Sequence, residues 1–246
     1  MKFLAQTING KIVHDFVFAV LQARDYFAWR GVDTLDVVYH EGMDFGDIKH
    51  PDDYVPVGSV DYVSSYLRAF YPKAVRALRP LNVPPRLIPY AGRPVVNVTS
   101  KKDLELLPDD MGAAYAKHLD VIKHPDNGLV MRPAFRERIN YQLSGLIRIE
   151  SEWRVLVFHD EIKHIANYSG DPLVFPDGNA ILKMVECYRN YSPVAYTLDV
   201  AVTNGKKTVV VECHRFFSCG LYGFSDASVL PYMLSQAWFE MRTRRD

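Results

Sequence analysis

The sequence predicts an α+β chain in which antiparallel hairpins and two helices follow a smaller N-terminal βα region. Two long stretches, "SEWRVLVFHDEIKHIANYSG" and "VAYTLDVAVTNGKKTVVVECHRFF", each read as paired strands, folding back at Asp160-Glu161 and at Asn204-Gly205. A proline-rich segment separates them from the N-terminal third: "PLNVPPRLIPYAGRP" (80–94) holds five of the fifteen prolines, which neither a regular helix nor a central strand accommodates. The expected boundary therefore lies near residue 95, with a βα region over 1–95 and a longer region over 96–246. Hairpins interspersed with helices distinguish this pattern from a doubly wound parallel sheet.

The elements follow in order. "KFLAQTI" reads as extended and ends at a turn, Asn9-Gly10; "HDFVFAVLQARDYFAWRG" then spaces its apolar residues by three and four, as an amphipathic helix does. "TLDVVYH" is a short strand, and residues 41–53 are polar and acidic. "PVGSVDYVSSYLRAFYP" has a Gly-Ser start and helical spacing that stops before Pro72, the signature of a strand-to-helix turn. Beyond the prolines, "LDVIKHPDNGLVMRP" (119–133) shows two short apolar runs around Pro125, Asp126, Asn127 and Gly128, a hairpin signature. "NYQLSGLIRI" is a further strand, and helices are expected over 178–191 and 227–241.

Composition narrows the function. With 48% apolar residues the chain of 246 can bury a sizeable core. Lys plus Arg and Asp plus Glu are equal at 29 each, so no net field draws the chain to nucleic acid or to an anionic membrane. No signal-type segment and no run of eighteen apolar residues is present, and the expected location is cytoplasmic. Three cysteines, Cys187, Cys213 and Cys219, form no CxxC pair and read as packed free thiols. Triplets of N-x-[ST] form at Asn97, Asn167 and Asn190 read as chance matches. The acidic stretch near residues 44–53 and the tail "RTRRD" read as solvated faces.

The chemistry concentrates in "VVVECHRFF". Neighbouring side chains on a strand point to opposite faces, so Cys213 cannot share a face with Glu212 and His214, which themselves share one. Asp199, on the preceding strand, joins that face if the turn between them loops out an even number of residues, either Asn204-Gly205 or 204–207; a three-residue loop turns it away. Two carboxylates among valines are costly to bury unless paired or bound to a cation, and hard oxygen ligands favour Mg²⁺. The competing reading is a solvent-facing hairpin with an ordinary ion pair, for example from Asp199 to Arg154 or Lys183. Cations lie nearby in sequence: Lys123 in "VIKHP" and Arg132 in "VMRP" read as strand positions, and Arg154 shares a face with Glu152 in "ESEWRVLVF". Singly each fits a snorkelling side chain or a local Glu152–Arg154 pair; jointly they read as a nucleotide site without a Walker A motif.

These motifs resemble the ATP-grasp superfamily. "SEWRVLVF", "YTLDVAV" and "GLYGF", with "DYVPVGSVDYV" and "PLNVPP", look like a divergent clade that includes the Cdc123-type assembly chaperone of translation initiation and bacterial and phage relatives, over roughly residues 50–240. The resemblance implies ATP and Mg²⁺ as cofactors, with Asp199 and Glu212 as metal ligands and His214 where many relatives carry Asn. An imidazole is a poorer Mg²⁺ ligand than an amide oxygen, so His214 either tunes the site or meets phosphate or substrate. Lys123 or Arg132 would reach the ATP phosphates, "NYQLSGLI" would form the hinge beside adenine, and Glu152 would lie at the nucleotide. Arg154 would face the phosphates or the acceptor as the catalytic cation. Without a Gly-rich loop, "PAFRERINY" would supply the flap, closing Arg136 and Arg138 on the nucleotide. The implied reaction is ligation of a carboxylate, activated as an acyl phosphate, to an amine, on a peptide or protein substrate. The rivals are an ATP-binding assembly protein that forms no bond and a structural protein with a decayed site.

Overall fold

The apolar run at the N-terminus forms β1 (Lys2–Thr7), buried at every position from 3 to 7. A strand covered on both faces is typical of a parallel sheet with crossover helices. Here β2 (Asp36–Glu41) and β3 (Tyr54–Val57) flank β1 in a three-stranded parallel sheet of order β2-β1-β3. The computed structural model describes residues 2–32 and 35–243, so Thr34 of the "TLDVVYH" strand lies outside the described residues. Between the strands, α1 (Asp15–Trp29) buries Phe16, Val17, Ala19, Val20 and Ala23. After β3, α2 (Val60–Phe70) starts where the Gly-Ser signal predicts. The Ser59 hydroxyl accepts from the Tyr62 N–H at 3.1 Å, and the Ser59 N–H donates to the buried Gln6 Oε1 at 2.7 Å. Ser59→Ala is expected to lower stability by about 1 kcal/mol, read from the denaturation midpoint, because it strips one cap from the helix.

The second compact unit holds residues 79–192 and 196–214. Its first sheet is antiparallel, of order β4-β7-β5-β6, from β4 (Val95–Val98), β5 (Ala113–His118), β6 (Gly128–Met131) and β7 (Tyr141–Gly145). One face packs Val98, Ala114, Ala116, Val130 and Leu143 against Leu107, Met111 and Phe135. The hairpin expected over 119–133 is real in its second half only. Its first strand is "AAYAKH", with Ala116 opposite Gly128, and residues 119–127 form the loop. Side chains divert that loop from the ladder: His118 Nδ1 accepts the Asp120 and Val121 N–H groups, and Asn127 Oδ1 accepts the His118 N–H. Lys123 therefore lies exposed in the loop, at a left-handed φ of 54°, and not on a strand.

Residues 146–148 lead into the second antiparallel sheet. It comprises β8 (Ile149–Phe158), β9 (Glu161–Gly170), β10 (Ala195–Thr203) and β11 (Thr208–Arg215), in the order β11-β10-β8-β9. β8 and β9 join through His159 and Asp160, both at positive φ (50° and 60°), the backbone of a tight primed turn. Between β9 and β10, α3 (Gly178–Tyr188) is capped by Asp177, whose carboxylate accepts from the Asn179 N–H. Ile181, Met184 and Val185 of α3 close over Val155, Val157, Leu198, Val200, Val210 and Cys213.

Val83, Leu87 and Ala91 of the proline-rich segment belong to that same core. Gln142 fixes the segment, donating to Val83 O and accepting from the Val83 N–H, both at 2.9 Å. The compact units are consequently not the contiguous halves 1–95 and 96–246: the division falls at Leu78 and Arg79, and the described residues of 193–195 and 215–243 group with 2–78. Within that first unit Phe216 packs on Phe16, with ring centroids 5.2 Å apart, and α4 (Leu230–Thr243) lays Trp238 against Tyr66 and Tyr71. Arg242 of the basic tail binds Asp52 of the acidic stretch at 2.8 Å; residues 244–246 lie outside the described residues. Among the described residues no helix is long and apolar enough to cross a membrane.

Candidate active site

The two strands β10 and β11 present Asp199, Glu212 and His214 together, each offering a ligand atom within 4.8 Å of the others. The turn that joins the strands is of the kind expected to separate them. Thr203 N–H donates to Lys207 O, Lys206 N–H donates to Thr203 O, and Lys206 sits at φ 58°, so three residues are looped out. The convergence survives because β11 does not alternate strictly: Val209 and Val210 are both buried, Val211 and Glu212 both half-buried, and alternation resumes with Cys213 inward. That break in phase restores the face that the odd loop would lose. Cys213 lies in the core, and burial, with the charges of Asp199 and Glu212 near it, pushes its thiol up. Alkylation with iodoacetamide is expected to label Cys213 only after unfolding, as read by mass spectrometry of native and denatured samples.

Each carboxylate already faces a cation. Asp199, 1% exposed, takes a bidentate pair from Arg154, with Nε to Oδ1 at 2.8 Å and Nη2 to Oδ2 at 2.6 Å. Of the two ion-pair partners open in the sequence, Arg154 is the one used, and the pair is buried, not solvent-facing. Glu212 binds the Lys117 ammonium through Oε2, and its Oε1 lies 3.2 Å from His214 Nε2. Burial raises the Glu212 carboxyl, but His214 and Lys117 together outweigh it and hold the group well below the usual carboxylate range. On β8 and β9, Glu152 accepts from the Tyr168 hydroxyl at 2.7 Å, and the Arg154 guanidinium lies 5.7 Å from the Tyr168 ring. Burial and the charge of Asp199 push the Tyr168 phenol up, so it remains a donor. Arg93 closes the back, donating to Val210 O and Val211 O; burial pulls its guanidinium down while Glu212 and Glu152 oppose this.

Lys117 comes from the other sheet of the same unit. Alternation along β5 puts Ala114 and Ala116 in the core and Tyr115 and Lys117 on the opposite face. Since Lys117 reaches Glu212, that face looks toward β11, and it carries exposed Tyr115 and, on β6, exposed Leu129 and Met131. The cleft therefore has an apolar wall on one side and a charged one on the other.

The structure gathers Glu152, Arg154, Asp199, Glu212 and His214 and leaves four expected cations elsewhere. Lys123 makes no contact with Asp199 or Glu212 among the described residues. Arg132 does not lie in a strand; it begins a 3-10 turn and donates to Pro108 O and Met111 O. Arg138 ends that turn, pairs with Asp126 at 3.8 Å and covers the Tyr141 ring, and Arg136 is exposed. Lys117, Tyr168 and Arg93 were not expected. The period of two in "AAYAKH", alanine on one face and Tyr and Lys on the other, is the signal that identifies Lys117.

Residues 114–232 match the family model described as ATP-grasp domain, R2K clade family 2. Lys117, Glu152, Arg154, Asp199, Glu212 and His214 all fall inside that span. The D-cycloserine synthetase DcsG superposes with a TM-score of 0.61 at 11% identity, over 97% of this chain and 100% of that one. The ATP-grasp ligase PsnB, complexed with a minimal precursor, gives 0.55 at 10% identity over 95% and 98%. The macrocyclase MdnC, bound with precursor peptide MdnA from Microcystis aeruginosa MRC, gives 0.53 at 12% over 97% and 99%. At these identities the likeness is one of fold. No curated protein matches the chain. The matched span assigns residues 114–232 to the ATP-grasp domain of the R2K clade, and the mixed architecture with its antiparallel sheets is the fold shared with these ligases.

Proposed function

We propose that the protein is a Mg²⁺- and ATP-dependent ligase that activates a carboxylate as an acyl phosphate and joins it to an amine. The observation that carries this is the convergence of Asp199, Glu212 and His214 on one sheet opposite Lys117 on the other. Two carboxylates and an imidazole nitrogen this close suit a divalent cation that completes its shell with water and phosphate oxygens. When bound, Mg²⁺ supplies charge neutralisation for the transferring phosphoryl group. Lys117, in place of Lys123 or Arg132, neutralises the phosphates from the facing sheet. Tyr115, Leu129 and Met131 give the base an apolar wall, and the hinge at "NYQLSGLI" offers backbone groups to its edge. Arg154 acts through Asp199, holding that carboxylate in orientation. Tyr168 keeps Glu152 hydrogen-bonded at the rim.

In the reaction a substrate carboxylate oxygen attacks the γ-phosphorus and the bond to ADP breaks. The amine nitrogen then attacks the acyl carbon, phosphate leaves, and the amine gives up a proton. No side-chain nucleophile is needed, which fits a buried Cys213. A peptide carboxylate is the favoured acceptor class, supported by the fold shared with PsnB and MdnC, whose structures contain precursor peptides. Incubation with ATP, Mg²⁺ and a cell lysate, following ADP release and the mass of the products, tests this. ADP together with an amide product 18 Da lighter than the sum of its parts, about the mass of one water lost on condensation, is the expected result. ADP without an amide counts against ligation, and absence of ATP binding overturns the site.

A further inference from the structure

We propose that the divalent-cation site prefers Mn²⁺ to Mg²⁺, and that His214 Nε2 is the ligand that sets the preference. This rests on the reading of the site given above and names its cation. His214 and Glu212 share a face of β11, and Nε2 lies 3.2 Å from Glu212 Oε1. In an octahedral ion with bonds of roughly 2.1 Å, adjacent ligand atoms are about 3 Å apart, so these two atoms are spaced to occupy one edge of a shell. Asp199, whose ligand atom is within 4.8 Å of the others, lies within reach of the same ion. A single cation at this point meets a nitrogen that no rotamer of Glu212 replaces.

The donor set then decides between cations. Mg²⁺ is hard, takes oxygen and parts with water reluctantly, whereas imidazole nitrogen favours first-row transition metals. Zinc suits closed tetrahedral sites; an oxygen-rich octahedron completed by phosphates and one nitrogen suits Mn²⁺. The cations beside the carboxylates strengthen the bias. Arg154 neutralises Asp199 and Lys117 neutralises Glu212, so the purely electrostatic attraction on which Mg²⁺ depends is reduced. To bind the ion, His214 Nε2 gives up the hydrogen it shares with Glu212 Oε1, and the lone pair it then offers is less affected by the neighbouring cations than the attraction of a carboxylate is.

The test titrates the full chain, in the presence of ADP at fixed neutral pH, with Mn²⁺ followed by electron paramagnetic resonance and with Mg²⁺ as competitor. The wild-type preference for Mn²⁺ over Mg²⁺ is expected to exceed that of His214→Asn by roughly tenfold or more, the size of effect that ligand-environment changes have on metal affinity. Bound Mn²⁺ should also show a nitrogen coupling that changes on ¹⁵N-histidine labelling of the wild-type protein, a readout that does not depend on the variant folding. Equal preference in the two proteins, or Mn²⁺ bound without histidine nitrogen, overturns the inference while leaving the nucleotide site standing. Failure of either cation to bind the wild-type protein with ADP overturns the proposed function and this inference with it.

Discussion

Arg154→Met is expected to lower the stability of the folded protein by about 3–5 kcal/mol, because it leaves the Asp199 carboxylate buried without its partner. The size follows from burial: the side chains are 9% and 1% exposed, and two parallel hydrogen bonds join them. An exposed pair is worth about 0–1 kcal/mol at most, since water screens it and either side chain relaxes into solvent. A buried carboxylate has no such escape and must take up a proton or draw in water. Asp199→Asn tests the converse, stranding the guanidinium, and should be destabilising for the same reason. The double variant Arg154→Met/Asp199→Leu should recover most of the loss, as buried ion pairs replaced by apolar residues of similar volume often do. Urea denaturation of the wild type, the single variants and the double variant separates these outcomes. A loss under about 1 kcal/mol in Arg154→Met would place the pair in the exposed class and contradict its burial.

Lys117→Met is expected to weaken ATP binding about 10- to 100-fold, corresponding to roughly 1.5–3 kcal/mol for a charged hydrogen bond. Lys123→Met should leave the affinity unchanged. The contrast arises from position: Lys117 extends from β5 to Glu212 across the cleft, and Lys123 lies exposed in the loop after that strand. Isothermal titration with a non-hydrolysable ATP analogue and Mg²⁺ reads both. Equal losses in the two variants, or a loss confined to Lys123→Met, would refute the assignment of the strand cation.

Much of the fold was legible because its signals are local. Asn204-Gly205 and Asp160 mark real hairpins, the Ser59 cap starts a real helix, and the prolines of 80–94 exclude an α-helix or a central strand, leaving a 3-10 helix over Pro85–Tyr90. The Asp199 and Glu212 partnership was legible from a charged residue on each of two apolar strands, although the turn was not. A three-residue loop and a break in alternation at 209–212 offset each other, and neither leaves a mark in composition. Lys117 stayed hidden because alanine and lysine are poor strand formers, and "AAYAKH" becomes a strand only by pairing with β6 and β7. "VIK", with stronger β formers, lost to the side-chain hydrogen bonds of His118 and Asn127. Tyr168 and Arg93 reach the site through sheet order and a loop, which no local pattern encodes. The grouping of 215–243 with the N-terminal residues is likewise a tertiary fact.

That grouping has a bearing on how the chain is made. During synthesis the strands and helices of residues 2–78 emerge first, yet the partners of Phe16 and Tyr66, Phe216 and Trp238, leave the ribosome near the end. The second unit, drawing nearly all its contacts from one stretch between 79 and 214, can complete itself while the first still lacks a flank. Units ordinarily fold in the order they are translated; here the earliest-made apolar surface is the last to be covered. Chaperone dependence and aggregation during expression should therefore track ribosome stalling between codons 79 and 230, and a fragment of residues 79–214 should be recovered soluble more readily than one of residues 1–78.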